Sequence, residues 1–148
     1  MIAINGGVDI LLVEDSVDEA ALVMLAIKAR NLDQKVVHVM DVDQALELVY
    51  ACNLAANWQP KAAPKVILLD LKLARKGGLE LLHQLKTEER MRHIPVVVLT
   101  GSTDEKEMLE SYRLGVNSYV IKPLNARQYA QVVGDIAYYW LSVNQHFS

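Results

Sequence analysis

A chain of 148 residues has the length of one domain and buries roughly two-thirds of its unfolded surface, enough for a single core. Hydrophobic residues at 52% against charged residues at 22% exclude a disordered chain; 15 basic against 18 acidic residues, a net charge of −3, exclude a partner held by bulk positive charge, whether nucleic acid or an anionic membrane surface. The single cysteine, Cys52, excludes an internal disulfide and a thiolate zinc cluster and suits a reducing, cytoplasmic setting.

Residues 1–7 carry neither a basic segment nor a long apolar one, so no secretory signal is expected. A first strand is predicted over 10–13, ending in Glu14 and Asp15. Ser16 is placed to cap a helix over 17–31, with Ala20, Ala21, Met24, Leu25 and Lys28 at helical spacing. A second strand over 36–39 ends before Asp41, and a helix over 43–55 aligns Ala45, Leu46, Val49 and Cys52. Residues 56–64 form the one long polar loop, where two prolines forbid helix. The third strand, 66–69, ends in Asp70, and the helix over 78–88 carries Leu79, Leu82 and Leu85. The fourth strand, 96–99, ends in Thr100 and Gly101; the helix over 104–115 carries Met108, Leu109 and Tyr112 and is closed by Gly115. The fifth strand, 118–121, ends in Lys122 and Pro123, and a last helix over 125–145 aligns Tyr129, Val132, Val133, Ile136, Trp140 and Val143. Cys52, Met24, Met108 and the helical leucines are expected in the core.

Each strand is a continuous apolar run, the pattern of a parallel strand buried on both faces. None approaches the length that spans a bilayer. Strands alternating with helices imply right-handed crossovers and a three-layer α/β sandwich. One domain over 1–148 is expected, with its core at about 9–141, a tail at 142–148 and no output domain.

In open α/β sheets the ligand site lies outside the carboxyl ends of the strands. Glu14, Asp15, Asp70, Thr100 and Lys122 stand there. Converging carboxylates repel one another, and a hard cation with oxygen ligands and room for water, Mg²⁺ or Mn²⁺, relieves the repulsion. A lysine and a hydroxyl aimed at the same place suit a second anion. Together these groups form the kit for phosphoryl transfer to an aspartate.

With these residues the chain resembles the receiver domains of two-component response regulators, from about Asp9 to Trp140. The resemblance rests on Glu14-Asp15, the run 66–71 holding Asp70, Gly78 eight residues later, Leu99-Thr100-Gly101, and the run 119–123 ending in Lys122-Pro123. It implies a flavodoxin-like, doubly wound (βα)5 sheet of order 2-1-3-4-5 and phosphorylation of Asp70 by a partner histidine kinase. It also implies metal binding by Glu14, Asp15, Asp70 and the Lys72 backbone carbonyl, with the Lys72 side chain a departure from the small polar residue often found there. Lys122 is expected to pair with Asp70 and then with the phosphoryl group, across a cis Lys122–Pro123 peptide. Thr100 and Tyr119 are the implied switch pair, and Arg75-Lys76 a solvated loop beside the site. Residues 134–144, the long loop before the third strand and residues 73–76 are similar to the stand-alone regulators that serve cyanobacterial phytochromes, which implies a phytochrome-type kinase as partner.

The expected function is that of a stand-alone receiver signalling through a phosphorylation-dependent surface. Its only chemistry would be self-catalysed transfer from phosphohistidine and autodephosphorylation. A relay intermediate passing the group to another histidine, and a pseudo-receiver that works without phosphorylation, remain as alternatives. A phosphatase of the haloacid-dehalogenase type would need an aspartate at position 72, where a lysine stands. A flavodoxin-like cofactor binder would need a Ser/Thr/Gly-rich loop at 14–19, which is acidic. Tyr138 and Leu141 fall off the stripe of the last helix and Phe147 lies beyond it, so a homodimer through the last strand, last helix and tail is expected.

Overall fold

The computed structural model describes residues 7–32, 35–55, 63–73 and 77–146, except for the side chains of 53–55. Five parallel strands, β1 (Ile10–Val13), β2 (Val36–Val39), β3 (Val66–Asp70), β4 (Val96–Thr100) and β5 (Ser118–Ile121), form one sheet in the order β2-β1-β3-β4-β5. Between and after them run α1 (Val17–Ala29), α2 (Val42–Ala55), α3 (Gly78–Thr87), α4 (Glu105–Leu114) and α5 (Ala126–Tyr138). This is the expected doubly wound sandwich. The continuous apolar runs are buried residue by residue in β1, β3 and β4, whereas the edge strands β2 and β5 are only half-buried. An edge strand has a neighbour on one side only, so the run alone does not set its burial.

Side-chain alternation divides the core in two. Leu11, Val13, Ile67, Leu69, Val96 and Val98 pack with α2, α3 and the end of α4. Ile10, Leu12, Val66, Leu68, Val97 and Leu99 pack with α1 and α5. Two helix faces differ from the sequence expectation. In α1 the buried residues are Ala20, Val23, Ala26 and Ile27, while Met24 and Leu25 face solvent. Both sets obey helical spacing, and Lys28 marks the outer one. In α4 it is Ser111 that is buried, and Leu109 and Tyr112 are exposed. The Ser111 hydroxyl donates to the Glu107 carbonyl at 2.8 Å, so this small residue is satisfied within its own helix.

The last helix also departs from a single α-stripe. After Tyr138 the chain widens into a π-helical turn, Tyr139–Val143, closed by the Asn144 N–H donating to the Tyr139 carbonyl at 2.7 Å. That turn re-phases the side chains. Val143, expected against the sheet, is 55% exposed, and Leu141, expected outside, packs half-buried against the α1/α5 core. Phe147 lies outside the described residues, as do residues 56–62 of the long loop and Arg75-Lys76.

Two close contacts fix where α3 and α5 sit. The N–H of Gly78 donates to the Leu71 carbonyl at 2.9 Å, and a Cβ there would meet Leu71 Cα at 2.6 Å and the Asp70 carbonyl oxygen at 2.7 Å. Only glycine lets α3 begin so close to the end of β3. At the end of α1, Arg30 reaches across to α5: its guanidinium donates to Asp135 Oδ1 at 2.6 Å and the Gln131 carbonyl at 3.1 Å, lying over Gly134.

Candidate functional site

Parallel strands deliver their carboxyl ends to one edge, and pairing sets the depth of each. Val13 is opposite Leu69, Asp70 opposite Leu99 and Thr100 opposite Ile121. Glu14, Asp70, Thr100 and Lys122 are therefore neighbours at one rim. Glu14 is 2% exposed. Its N–H donates to the Val39 carbonyl at 3.1 Å, and its own carbonyl accepts from His38 Nε2 at 2.7 Å. Asp70 Oδ1 accepts the Lys72 N–H at 3.1 Å, so the turn after β3 orients the carboxylate. Glu14, Asp15 and Asp70 each bring one carboxylate oxygen within 4.8 Å of the others.

Lys122 is anchored by its N–H donating to the Thr100 carbonyl at 2.7 Å. Its ammonium donates to Glu19 Oε2 at 2.9 Å and to Glu14 Oε1 at 3.3 Å, and lies 3.8 Å from Asp70 Oδ2. The ring of Tyr129 on α5 stands beside it, 6.0 Å from ring centroid to nitrogen. The expected pairing with Asp70 is thus the longest of three carboxylate contacts, and the shortest is with Glu19. No peptide among the described residues is cis, so Lys122–Pro123 is trans, against expectation. Trans is the lower-energy isomer of an X–Pro bond, and the Lys122 contacts are made from it.

The electrostatics follow from crowding. Burial, with Glu19 and Asp70 alongside, pushes the Glu14 carboxyl up to about 8 although Lys122 pulls the other way. Glu19 is held below the usual carboxylate range by the hydrogen bond it accepts from the Glu14 carboxyl and by Lys122. Burial alone would lower the Lys122 ammonium, but Glu19, Asp70 and Glu14 outweigh it and hold it above the ordinary lysine range. An acid pushed toward its uncharged form by burial and then by acidic neighbours belongs to a carboxylate set that a divalent cation would satisfy, and the donor set is the all-oxygen one that Mg²⁺ and Mn²⁺ take.

Thr100 is fully buried, on the face of Val96 and Val98, and its hydroxyl accepts the Ser102 N–H at 3.1 Å. Tyr119, opposite Val98, packs on that same face, and its hydroxyl is buried without a hydrogen-bond partner among the described residues. Burial first, then Glu107 and Asp104 of the α4 end, raises that phenol. The proposed switch pair therefore shares one face of the sheet. Lys72 is exposed.

Sequence reasoning missed Glu19, Tyr129 and His38. Ser16-Val-Asp-Glu19 reads as a helix-capping pattern, which hides Glu19 behind a local role. Tyr129 sat within the apolar stripe of α5, and nothing in the sequence joins His38 to Glu14.

A family model for the response regulator receiver domain matches residues 10–134. The chain belongs to the response regulator receiver family. This receiver domain is 38% identical over 136 residues to the probable methanogenesis regulatory protein FilR2 of Methanothrix harundinacea, covering 92% of the chain and 85% of FilR2. It is 35% identical over 132 residues to the response regulator Rcp1 of Synechocystis, covering 89% of the chain and 88% of Rcp1. The structure of the phosphorylated cyanobacterial phytochrome response regulator RcpA superposes with a TM-score of 0.84 at 35% identity, over 97% of this receiver and 100% of RcpA. A Mn²⁺-bound form of Rcp1 superposes at 0.80 and 33% identity, over 95% and 99% of the two chains. The receiver is thus a two-component signalling module near the phytochrome-associated regulators, with an acidic pocket compatible with Mg²⁺. Among the described residues no helix is long and apolar enough to cross a membrane.

Proposed function

We propose that this receiver accepts a phosphoryl group on Asp70 from a histidine kinase and signals through a surface whose binding changes with phosphorylation. The observation that carries this reading is the placement of Asp70. One carboxylate oxygen is oriented by the Lys72 N–H, the other faces the Lys122 ammonium, and Glu14 and Asp15 complete an acidic cluster beside it. In the transfer an Asp70 oxygen forms a bond to phosphorus as the phosphorus–nitrogen bond of phosphohistidine breaks, and the released imidazole takes up a proton. Glu14, Asp15, Asp70 and the Lys72 carbonyl would hold Mg²⁺ or Mn²⁺, which supplies charge neutralisation for the transferring group. Lys122 neutralises the added phosphoryl oxygens, and Thr100 offers them a hydroxyl while Tyr119 reports the change to α4 and β5.

The kinase is read as phytochrome-type on the likeness to the phytochrome response regulator RcpA. The protein is read as a cytoplasmic regulator whose receiver domain carries no catalysis beyond its own phosphorylation and dephosphorylation. It is read as a homodimer through β5, α5 and the tail, a surface on which Ile121, Tyr138, Tyr139 and Val143 are exposed. Intact-mass spectrometry after incubation with acetyl phosphate and Mg²⁺ tests the acceptor. Wild type gains one phosphoryl mass and Asp70→Asn gains none; an adduct on Asp70→Asn at the wild-type level would overturn the assignment. Phosphotransfer from a purified phytochrome kinase, compared with an unrelated histidine kinase, tests the partner.

A further inference from the structure

Glu19 stands in the first turn of α1, where the sequence gives it an ordinary task. In a capping box the Ser hydroxyl accepts the N–H three residues on, and the glutamate there turns back to the Ser N–H. Half of that box is present: Ser16 Oγ accepts the Glu19 N–H at 3.2 Å. The other half is taken by a different residue, because the Ser16 N–H donates to Glu14 Oε2 at 3.3 Å. The Glu19 carboxylate goes instead to Lys122, at 2.9 Å, against 3.8 Å from Lys122 to Asp70, which is beyond hydrogen-bond range. The two partners differ in freedom. The Lys122 side chain is 13% exposed and that of Glu19 44%, so the lysine is confined inside the site while the glutamate holds it from the rim. The ring of Tyr129 closes another side of the lysine.

We propose that Glu19 is a positioning residue of this site: it holds the Lys122 ammonium to one side of Asp70, leaving the acceptor carboxylate for the cation and the incoming phosphorus, and then competes with the attached phosphoryl group for the lysine. This rests on the reading of Asp70 as phosphoacceptor. Without the Glu19 charge, Lys122 has only Glu14 and Asp70 as carboxylate partners and moves into the cluster that would hold Mg²⁺. Two positive charges then contend for the same oxygens, and Mg²⁺ binds less tightly.

The test is calorimetric titration of the unphosphorylated protein with Mg²⁺, on wild type, Glu19→Gln, Lys122→Met and the double variant. Glu19→Gln is expected to weaken binding by about tenfold, a coupling ordinary for contacting charges, and Glu19→Asp, which keeps the charge on a shorter arm, by less. In the Lys122→Met background Glu19→Gln is expected to cost clearly less, because only its direct contact with the Glu14 carboxyl then remains. The Mg²⁺ concentration giving half the maximal phosphorylation rate should rise in the same proportion. Wild-type affinity in Glu19→Gln, or an equal loss in the Lys122→Met background, would overturn the inference while leaving Asp70 as acceptor. A wild type that neither binds Mg²⁺ nor gains a phosphoryl mass would overturn both. Should Glu19→Gln fail to fold, Glu19→Asp alone and with Lys122→Met carries the same comparison.

Discussion

Glu14 is nearly sealed from water with acidic neighbours around it, and its carboxyl titrates near 8 rather than 4.5. The folded chain therefore binds a proton between those values that the unfolded chain has released. The stability this group contributes is full below about pH 4.5 and is lost as pH rises through about 8. A cation bound there needs the ionised carboxylate, so its binding releases the proton and tightens with rising pH. Urea unfolding at pH 6, 7, 8 and 9 should show stability falling with pH in chelator, with Mg²⁺ opposing the fall; parallel curves with and without Mg²⁺ would show that Glu14 is no ligand. Tyr129 is the second case. Its hydroxyl is buried with no partner among the described residues, and burial pushes the phenol up to about 12. An unsatisfied buried hydroxyl costs about 1–3 kcal/mol. Tyr129→Phe, which keeps the ring beside Lys122, is expected to match or exceed wild-type stability by up to about 1 kcal/mol; a loss larger than that in urea unfolding would reveal a hidden partner. At this scale the residues legible in the sequence were those that end strands: Glu14, Asp70, Thr100 and Lys122. Glu19 and Tyr129 reach the site from helices, where position along the chain does not tell which way a side chain turns.

Elements were legible in proportion to how little they depend on neighbours. The five strands followed from short apolar runs ending in polar residues, because a parallel strand is buried on both faces wherever the sheet closes over it; their order in the sheet came from the resemblance to receiver domains. Helix faces were not. α1 carries apolar residues on two faces, Val23 and Ile27 inward and Met24 and Leu25 outward, and periodicity alone gives no reason to choose. The π-helical turn after α5 had no signal in the sequence, since it arises from one carbonyl bonding five residues ahead. The start of α3 was marked by Gly78, and the reason is steric. Gly78→Ala would drive a methyl against the backbone of Asp70 and Leu71, forcing α3 away from β3 and disturbing the Asp70 carboxylate. It is expected to cost about 1–3 kcal/mol of stability and to slow phosphorylation by acetyl phosphate. Wild-type values for both, by urea unfolding and intact mass, would show that α3 has slack at this point.

For the whole molecule, Leu109 and Tyr112 on α4, Ile121 on β5, and Tyr138, Tyr139 and Val143 at the end of α5 are exposed apolar or aromatic side chains, the kind that protein interfaces use. A two-fold contact uses each residue twice, so a dimer burying upwards of about 1,000 Å² is expected to be sensitive to few changes. Sedimentation equilibrium should find dimers in wild type and monomers in Tyr138→Ala combined with Val143→Ser. A wild type monomeric at tens of micromolar, with and without the phosphoryl group, would dissociate this surface from self-assembly. The clasp of Arg30 on Asp135 spans 105 residues of chain, and it sets an order of events. α1 lays its inner face, with Ala20, Val23 and Ile27, against the α5 side of the sheet, so α1 waits for the later-made α5 before its burial is complete. A nascent chain halted before α5 would carry one covered face of the sheet and one still open to water, a species prone to aggregate.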